Sequence, residues 1–157
     1  DELTGIANRR HFLSMLDKEI ARSQRHSLPL SLAFFDVDKF KQINDTYGHK
    51  VGDDVLKGIA QAVTESLRRE DSFGRLGGEE FCIFLPGQQL EKAIKIIERY
   101  RILIEKINFQ SDSGDFNVTA SFGISELNKQ DSVNSLLEKA DQLLYRAKKN
   151  GRNRIEF

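Results

Sequence analysis

The sequence predicts an α+β domain whose centre is a mixed β-sheet ordered β-α-β-β-α-β, with extra helices. Three observations carry this. A short apolar run, Leu30 to Phe35, lies between Pro29 and Asp36, as in a buried strand. Two short apolar runs flank Gly77-Gly78, a hairpin signal. Stretches with helical spacing of apolar residues separate these strands from one another and from a later alternating strand.

In chain order, Phe12, Leu13, Leu16 and Ile20 recur at helical spacing from Arg9 to Arg25, and Leu28-Pro29 ends that helix. Leu30 to Phe35 is the first strand. Lys39 to Tyr47 fits a short helix closed by Gly48. Leu56, Ile59, Ala60, Val63 and Leu67 mark a longer one. Phe73 to Leu76 and Phe81 to Leu85 form the hairpin, with glycine supplying the positive φ of a tight turn. Leu90, Ala93, Ile97, Tyr100, Ile104 and Ile107 give another helix. Val118, Ala120, Phe122 and Ile124 alternate with polar or small residues, as in a half-buried strand. Val133, Leu136, Leu137, Ala140, Leu144 and Ala147 form the last long helix, ended by Gly151, and Arg154 to Phe157 adds an edge strand. The centre of this order matches the ferredoxin-like pattern, with helices expected mainly on one face of the sheet.

The 157 residues are expected to form one domain, residues 1–157, and the absence of an opening Met suggests excision from a longer, multidomain protein. Lys plus Arg balance Asp plus Glu, 24 against 24, which disfavours a nucleic-acid polymer as partner but allows a small anion at one site. Cys82 is the only cysteine, so there is no internal disulfide and no Cys/His zinc pattern; a reducing, cytoplasmic setting is expected. No stretch is apolar enough to span a membrane and no signal peptide opens the chain, so no membrane contact is expected of this domain.

Chemistry concentrates in acidic residues. Asp36 falls where the first strand should end, on the face shared by Leu32 and Phe34. A carboxylate there is costly unless a cation, a donor or water satisfies it. In the expected topology the turn carrying Glu79 and Glu80 lies near the same sheet edge. Converging carboxylates suit magnesium, a hard cation that takes one or two carboxylates plus phosphate oxygens. Each motif has a plainer reading: Asp36 as turn former or cap, Glu79-Glu80 as a solvated tip. Together on one edge they favour a metal–phosphate site. Neither a Walker-type loop nor Gly-x-Gly-x-x-Gly is present.

Gly77-Gly78-Glu79-Glu80-Phe81 resembles the signature of the GGDEF family, the diguanylate cyclases, in its GGEEF form. The likeness extends to Asp1–Arg10, to Asp36–His49, to Gly52–Leu56, to Thr119–Ile124, and to Ala140-Asp141 through Lys148–Asn153, essentially the whole chain. It implies a nucleotide-cyclase, palm-like domain. It implies condensation of two GTP into cyclic di-GMP and two pyrophosphates, with a homodimer required because each domain holds one GTP. It also implies Mg²⁺ or Mn²⁺ and fused or partner sensory domains.

Site roles follow from the same resemblance. Asp36, Glu79 and the Val37 carbonyl match the metal ligands. Glu79 and Glu80 match catalytic acidic positions, although Glu80 also suits a turn-stiffening hydrogen bond. Lys41 matches a position stabilising phosphate charge, and backbone N–H groups from Lys39 to Lys41 at a helix start suit phosphates as well. Asn44 and Asp53 match guanine contacts, Asp53 having an N-cap alternative; Phe40 and His49 match positions near the nucleotide, His49 having a structural alternative. Lys148 and Arg152 match phosphate contacts, while also suiting a helix C-terminal dipole. Arg68 and Asp71 match the Arg-x-x-Asp product-inhibition motif, with Arg99 as a partner; the plainer reading is a charged helix end. A silent module binding GTP or cyclic di-GMP, and a plain dimerisation domain, are the competing functions.

Overall fold

Every residue of the strand Leu30–Val37 is buried, and the sheet is built outward from it. The computed structural model describes residues 1–157. Its elements are β1 (Ala7–Asn8), α1 (Arg9–His26), β2 (Leu30–Val37), α2 (Phe40–Tyr47), α3 (His49–Ser66), β3 (Ser72–Gly77), β4 (Glu80–Pro86), α4 (Leu90–Glu105), β5 (Phe109–Ser111), β6 (Gly114–Phe116), β7 (Ala120–Glu126), α5 (Val133–Lys149) and β8 (Ile155–Glu156). The main sheet has the order β1-β3-β4-β2-β7-β8, with β5-β6 a separate ribbon. Strand β2 is antiparallel to both neighbours, whereas the outer pairs β1–β3 and β7–β8 are parallel. The sheet is therefore mixed, and the fold is the α+β class expected.

Alternation along β2 divides the core. Leu30, Leu32 and Phe34 join Phe12, Leu16 and Ile20 of α1 and Leu136, Ala140 and Leu144 of α5. Ala33, Phe35 and Val37 face the other way, onto Ile59 and Val63 of α3 and Ile97 and Tyr100 of α4. Helices thus cover both faces, where one was expected to dominate. A strand apolar on both faces requires cover on both, which is why its sequence shows no polar alternation. Phe35 centres the second face. Its ring lies 5.1 Å from that of Phe81 and 4.6 Å from that of Phe122, its register partners on β4 and β7.

Local sequence sets the helix ends. The Asn8 side chain caps α1 by accepting from the His11 N–H at 3.0 Å. A reciprocal Ser132–Ser135 capping box starts α5. Three details depart from expectation. Strand β2 runs on through Asp36 and Val37, because both remain paired in the sheet. Helix α4 ends at Glu105, and the β5–β6 ribbon follows it, docked by stacking of Phe116 on Tyr47 with centroids 4.3 Å apart. Strand β7 begins at Ala120, after Val118, and continues to Glu126.

Gly123 sets the distance between α5 and the sheet. A Cβ there would collide with the Ala140 carbonyl and the Leu144 backbone nitrogen. Because the obstacle is helix backbone, it cannot rotate away. Gly123→Ala is expected to lower stability by about 2–3 kcal/mol through overpacking, read as a lower urea midpoint; an unchanged midpoint would show that α5 has slack over β7.

Candidate active site

Asp36 is the penultimate residue of β2 and only 6% exposed. It lies in register opposite Glu80 on β4 and Ser121 on β7, so these three side chains share one face of the sheet. From α5, Lys148 Nζ reaches Asp36 Oδ2 at 2.9 Å. Burial pushes the Asp36 carboxyl up to about 6; the Lys148 hydrogen bond and charge oppose this, while the charges of Glu79 and Glu80 add to it. Asp36, Glu79, Glu80 and Lys148 therefore form one electrostatic unit.

The turn that brings in the glutamates is short. Gly77 pairs with Glu80, leaving Gly78 and Glu79 at the tip, and Gly78 takes φ 45°. A register shift between Arg75 and Gly77 bulges β3 beside the turn. Arg75 braces it: Nε donates to the Gly78 carbonyl at 2.8 Å, and Nη1 pairs with Asp1 Oδ1 at 3.0 Å. The Val37 N–H donates to the Glu79 carbonyl at 3.4 Å, which seats the tip against the end of β2.

Asp38, two residues further on, is equally buried but fully used. Its Oδ1 accepts from Ser121 Oγ at 2.6 Å, and its Oδ2 from Thr119 Oγ1 at 2.6 Å and from the Asn153 N–H at 3.0 Å. With Asp38 fixed, the chain turns through Lys39 at φ 56° into α2. The first-turn N–H groups of Phe40, Lys41 and Gln42 have no carbonyl within the helix to pair with and donate no other hydrogen bond. The Phe40 side chain is packed in the core, so its backbone is what faces the site; the Lys41 side chain is exposed.

Asn44, on α2, is partly buried. Asp53 is the fifth residue of α3 and exposed, so it is no N-cap; His49 opens that helix and is exposed too. Lys148 and Glu80 line a cavity of about 440 Å³ with Asp141 and Tyr145. Arg152 lines a different one, about 500 Å³, with Lys39, Tyr47 and Thr119. The two basic residues that share a role by resemblance thus open onto separate cavities.

No three His, Cys, Asp or Glu side chains are grouped closely enough to hold a metal by themselves. The residues present nevertheless fit Mg²⁺ or Mn²⁺ that takes part of its shell from phosphate. Two carboxylates and a backbone carbonyl are the sparse hard-oxygen set such ions accept, and Asp36 carries a burial cost that a cation would relieve.

Arg68, Asp71 and Arg99 converge elsewhere, around Tyr100. Asp71 Oδ2 accepts from the Arg68 N–H at 3.2 Å, while its Oδ1 is buried with no partner. Burial raises the Asp71 pKa. The Tyr100 phenol is raised by burial and then by the Asp71 charge, with Arg99 and Arg68 pulling it back, so all four groups interact. Tyr100 Oη donates to the Ser66 carbonyl at 3.3 Å. In the sequence Tyr100 is only a core position of a helix; its polar end becomes visible when α3 and α4 are packed.

The mixed sheet, with carboxylates at the ends of its central strands and free N–H groups at the adjoining helix start, has the α+β architecture of nucleotide-cyclase domains. A family model described as "Diguanylate cyclase, GGDEF domain" matches residues 1–154, and the chain belongs to that family. It is 42% identical over 156 residues to the diguanylate cyclase DgcP of Pseudomonas aeruginosa, covering 99% of this chain and 23% of DgcP. Among solved structures it is similar to the diguanylate cyclase SiaD of Pseudomonas aeruginosa in complex with its activator SiaC, at TM-score 0.97 and 42% identity, covering 100% of this chain and 60% of that one. It is also similar to the GGDEF domain of DgcB from Caulobacter crescentus in complex with c-di-GMP, at TM-score 0.95 and 33% identity, covering 99% and 90%.

The burial of Asp36 has a pH signature. The unfolded chain releases this proton near 3.8 and the fold near 6, so the fold binds it more tightly and stability falls as pH rises between those values. At about 1.4 kcal/mol per pKa unit, the loss is about 3 kcal/mol and is complete above pH 6. In chelator, Asp36→Asn is expected to raise the urea midpoint at pH 7.5 and leave it unchanged at pH 3.5. Equal gains at both pH values would show that charge burial at Asp36 is not the cause.

Proposed function

We propose that this domain condenses two GTP molecules into cyclic di-GMP, releasing two pyrophosphates, with one GTP on each of two copies of the domain. The observation that carries the reading is the unaltered Gly77–Phe81 turn, seated against a buried Asp36 and beside the unpaired N–H groups that open α2. The c-di-GMP named with the DgcB domain supports a guanine dinucleotide as product.

Asp36, Glu79 and the Val37 carbonyl are the residues that would hold Mg²⁺ or Mn²⁺. When bound, such an ion lowers the pKa of the ribose 3′-hydroxyl and neutralises phosphate charge. The first-turn N–H groups of α2 and the Lys41 ammonium bind phosphate oxygens. Lys148, paired with Asp36 in the structure, and Arg152 are the positive groups that would bind phosphate oxygens. Asn44 and Asp53 read guanine, Asp53 accepting from the N1–H and N2–H₂ edge that adenine lacks; His49 lies beside them at the head of α3. Glu79 and Glu80 hold the attacking hydroxyl and the turn in place. The new 3′-O–Pα bond forms as the Pα–O–Pβ bond breaks, and the hydroxyl proton passes to solvent or to Glu79. One domain cannot close the ring alone, because each 3′-hydroxyl needs the α-phosphate held by the other.

Arg68, Asp71 and Arg99 bind the product, the unpaired Oδ1 of Asp71 accepting from guanine donors while arginine grips O6 and N7. GTP as substrate places the domain in the cytoplasm. No helix is long and apolar enough to cross a membrane. Control comes from other domains or partners that bring two copies together.

Incubation with GTP and Mg²⁺ over a range of protein concentrations, followed by chromatography, should show cyclic di-GMP and pyrophosphate, with specific activity rising with concentration. GTP binding without product would favour a regulatory module, and neither would favour a scaffold. Glu79→Gln is expected to lower turnover by at least about 100-fold, as for loss of a key electrostatic group, with an unchanged circular dichroism spectrum; wild-type turnover would remove Glu79 from the chemistry. Arg68→Ala should relieve inhibition by added cyclic di-GMP while leaving GTP affinity intact, and unchanged inhibition would assign the Arg68–Asp71 turn a purely structural part.

A further inference from the structure

Arg152 and Asn153 are consecutive non-glycine residues in the left-handed region, at φ 61° and 47°. Each costs on the order of 1 kcal/mol, so surrounding contacts must hold them there. Those contacts centre on Asn153, which lies within the family resemblance but has no role assigned to it. Its N–H donates to Asp38 Oδ2 at 3.0 Å. Its Nδ2 donates to Glu105 Oε1 at 2.8 Å, and its Oδ1 accepts from Arg101 Nη1 at 2.6 Å. An anion at one end and a cation at the other fix the amide orientation. Arg101 is itself clamped on α4 by Glu98 at 2.7 Å and Glu105 at 3.1 Å. On either side of Asn153, the Arg152 N–H donates to the Ala147 carbonyl at 3.0 Å, and the Arg154 carbonyl accepts from the Phe122 N–H at 2.9 Å.

We propose that Asn153 is a positioning residue: it ties the Arg152 turn to Asp38, directly before the Lys39–Gln42 segment that we call the nucleotide loop, and to Arg101 on α4, so that Arg152 is presented to the substrate phosphates in one fixed orientation. This rests on the cyclase reading and adds a residue to it. Asp38 joins the two segments. It takes three hydrogen bonds, two from hydroxyls on the β7 side and one from the Asn153 backbone. One carboxylate therefore registers the entry to α2 against the exit from α5, and the free N–H groups and Arg152 are held in a common frame. Helix α4 supplies the third support from outside the site, since Arg101 borders the cavity shared with Glu98, Ile155 and Phe157, away from the nucleotide loop.

Two variants separate support from folding. Asn153→Gly keeps the left-handed backbone and the N–H to Asp38 but removes both amide bonds. Arg101→Met removes the bond to Asn153 Oδ1 and the clamp on Glu105, leaves the Asn153–Glu105 bond in place, and does not alter the sequence of the turn. Each is expected to weaken binding of a non-hydrolysable GTP analogue about tenfold, the effect of losing one hydrogen bond to a charged group, and to raise KM for GTP similarly, with kcat changed less than about threefold. In an Arg152→Ala background neither should weaken binding further, because the support would have nothing left to position. Wild-type affinity in both variants, or a full tenfold loss when Arg152 is already absent, would overturn the proposal. A wild-type protein that bound no GTP would overturn the cyclase reading together with the phosphate role of Arg152. The tie itself would still be tested by hydrogen exchange at the Asn153 amide, which Arg101→Met should accelerate and which an unlinked turn would leave unchanged.

Discussion

A carboxylate with little access to water, held at the end of a fully buried strand, is the constraint on which the active edge of this domain depends. Asp36 cannot leave the site, because both its neighbours in the sheet are hydrogen-bonded strands. It cannot be neutralised by its own surroundings either. Lys148 contributes one positive charge, while Glu79 and Glu80 add two negative ones to that of Asp36. The one ammonium therefore does not offset burial together with two further carboxylate charges. The fold alone settles for a compromise: Lys148 is drawn onto Asp36 and the carboxyl is pushed up to about 6. Such a site gains electrostatically from a divalent ion and from a substrate that draws Lys148 away, and a nucleoside triphosphate with its metal supplies both.

The two aspartates of the Asp36-Val37-Asp38 segment show how the same residue type is divided between tasks. Asp38 receives three donors from the protein and serves as an anchor. Asp36 receives one, from the Lys148 ammonium, and keeps lone pairs for something else. Nothing in the local sequence separates them, since either fits a strand end followed by a turn. What separates them is the far side of the contact: Ser121, Thr119 and Asn153 lie more than 80 residues away in the chain.

That distinction explains how much was legible beforehand. The strand, the hairpin and the long helices were, because each is written in local periodicity or in a pair of glycines. The short β1 was not, since two residues carry no period, and the β5–β6 ribbon was hidden in a polar stretch whose only anchors are Phe109 and Phe116. Helical cover on both faces was implicit in the unbroken apolar run of β2 but was assigned mainly to one face by topology. Among site residues, the acidic edge was anticipated from Asp36 and the glutamate turn together. The separation of Lys148 from Arg152 into two cavities and the polar end of Tyr100 depend on packing between elements distant in sequence, which spacing within one element does not encode.

Both basic groups at the site are set by one helix. Gly123 lets α5 lie against β7, which fixes Lys148 over Asp36; α5 then ends directly into the turn that carries Arg152, and Asn153 pins that turn to Asp38. The acidic edge is equally constrained, by strand register on β2 and β4 and by Arg75 across the glutamate turn. A site assembled from paired strands, a seated helix and a braced hairpin leaves little internal freedom to regulate. Reshaping it would mean breaking sheet pairs or lifting α5, each costing several kcal/mol of a total stability of only about 5–15 kcal/mol. On the cyclase reading, the cheaper variable is the encounter of two domains, which depends on concentration and on whatever is attached to each copy. On that same reading, a rigid half-site whose chemistry needs a second copy is suited to control from outside: the information would lie in whether two copies meet, and the chemistry of each half need not change.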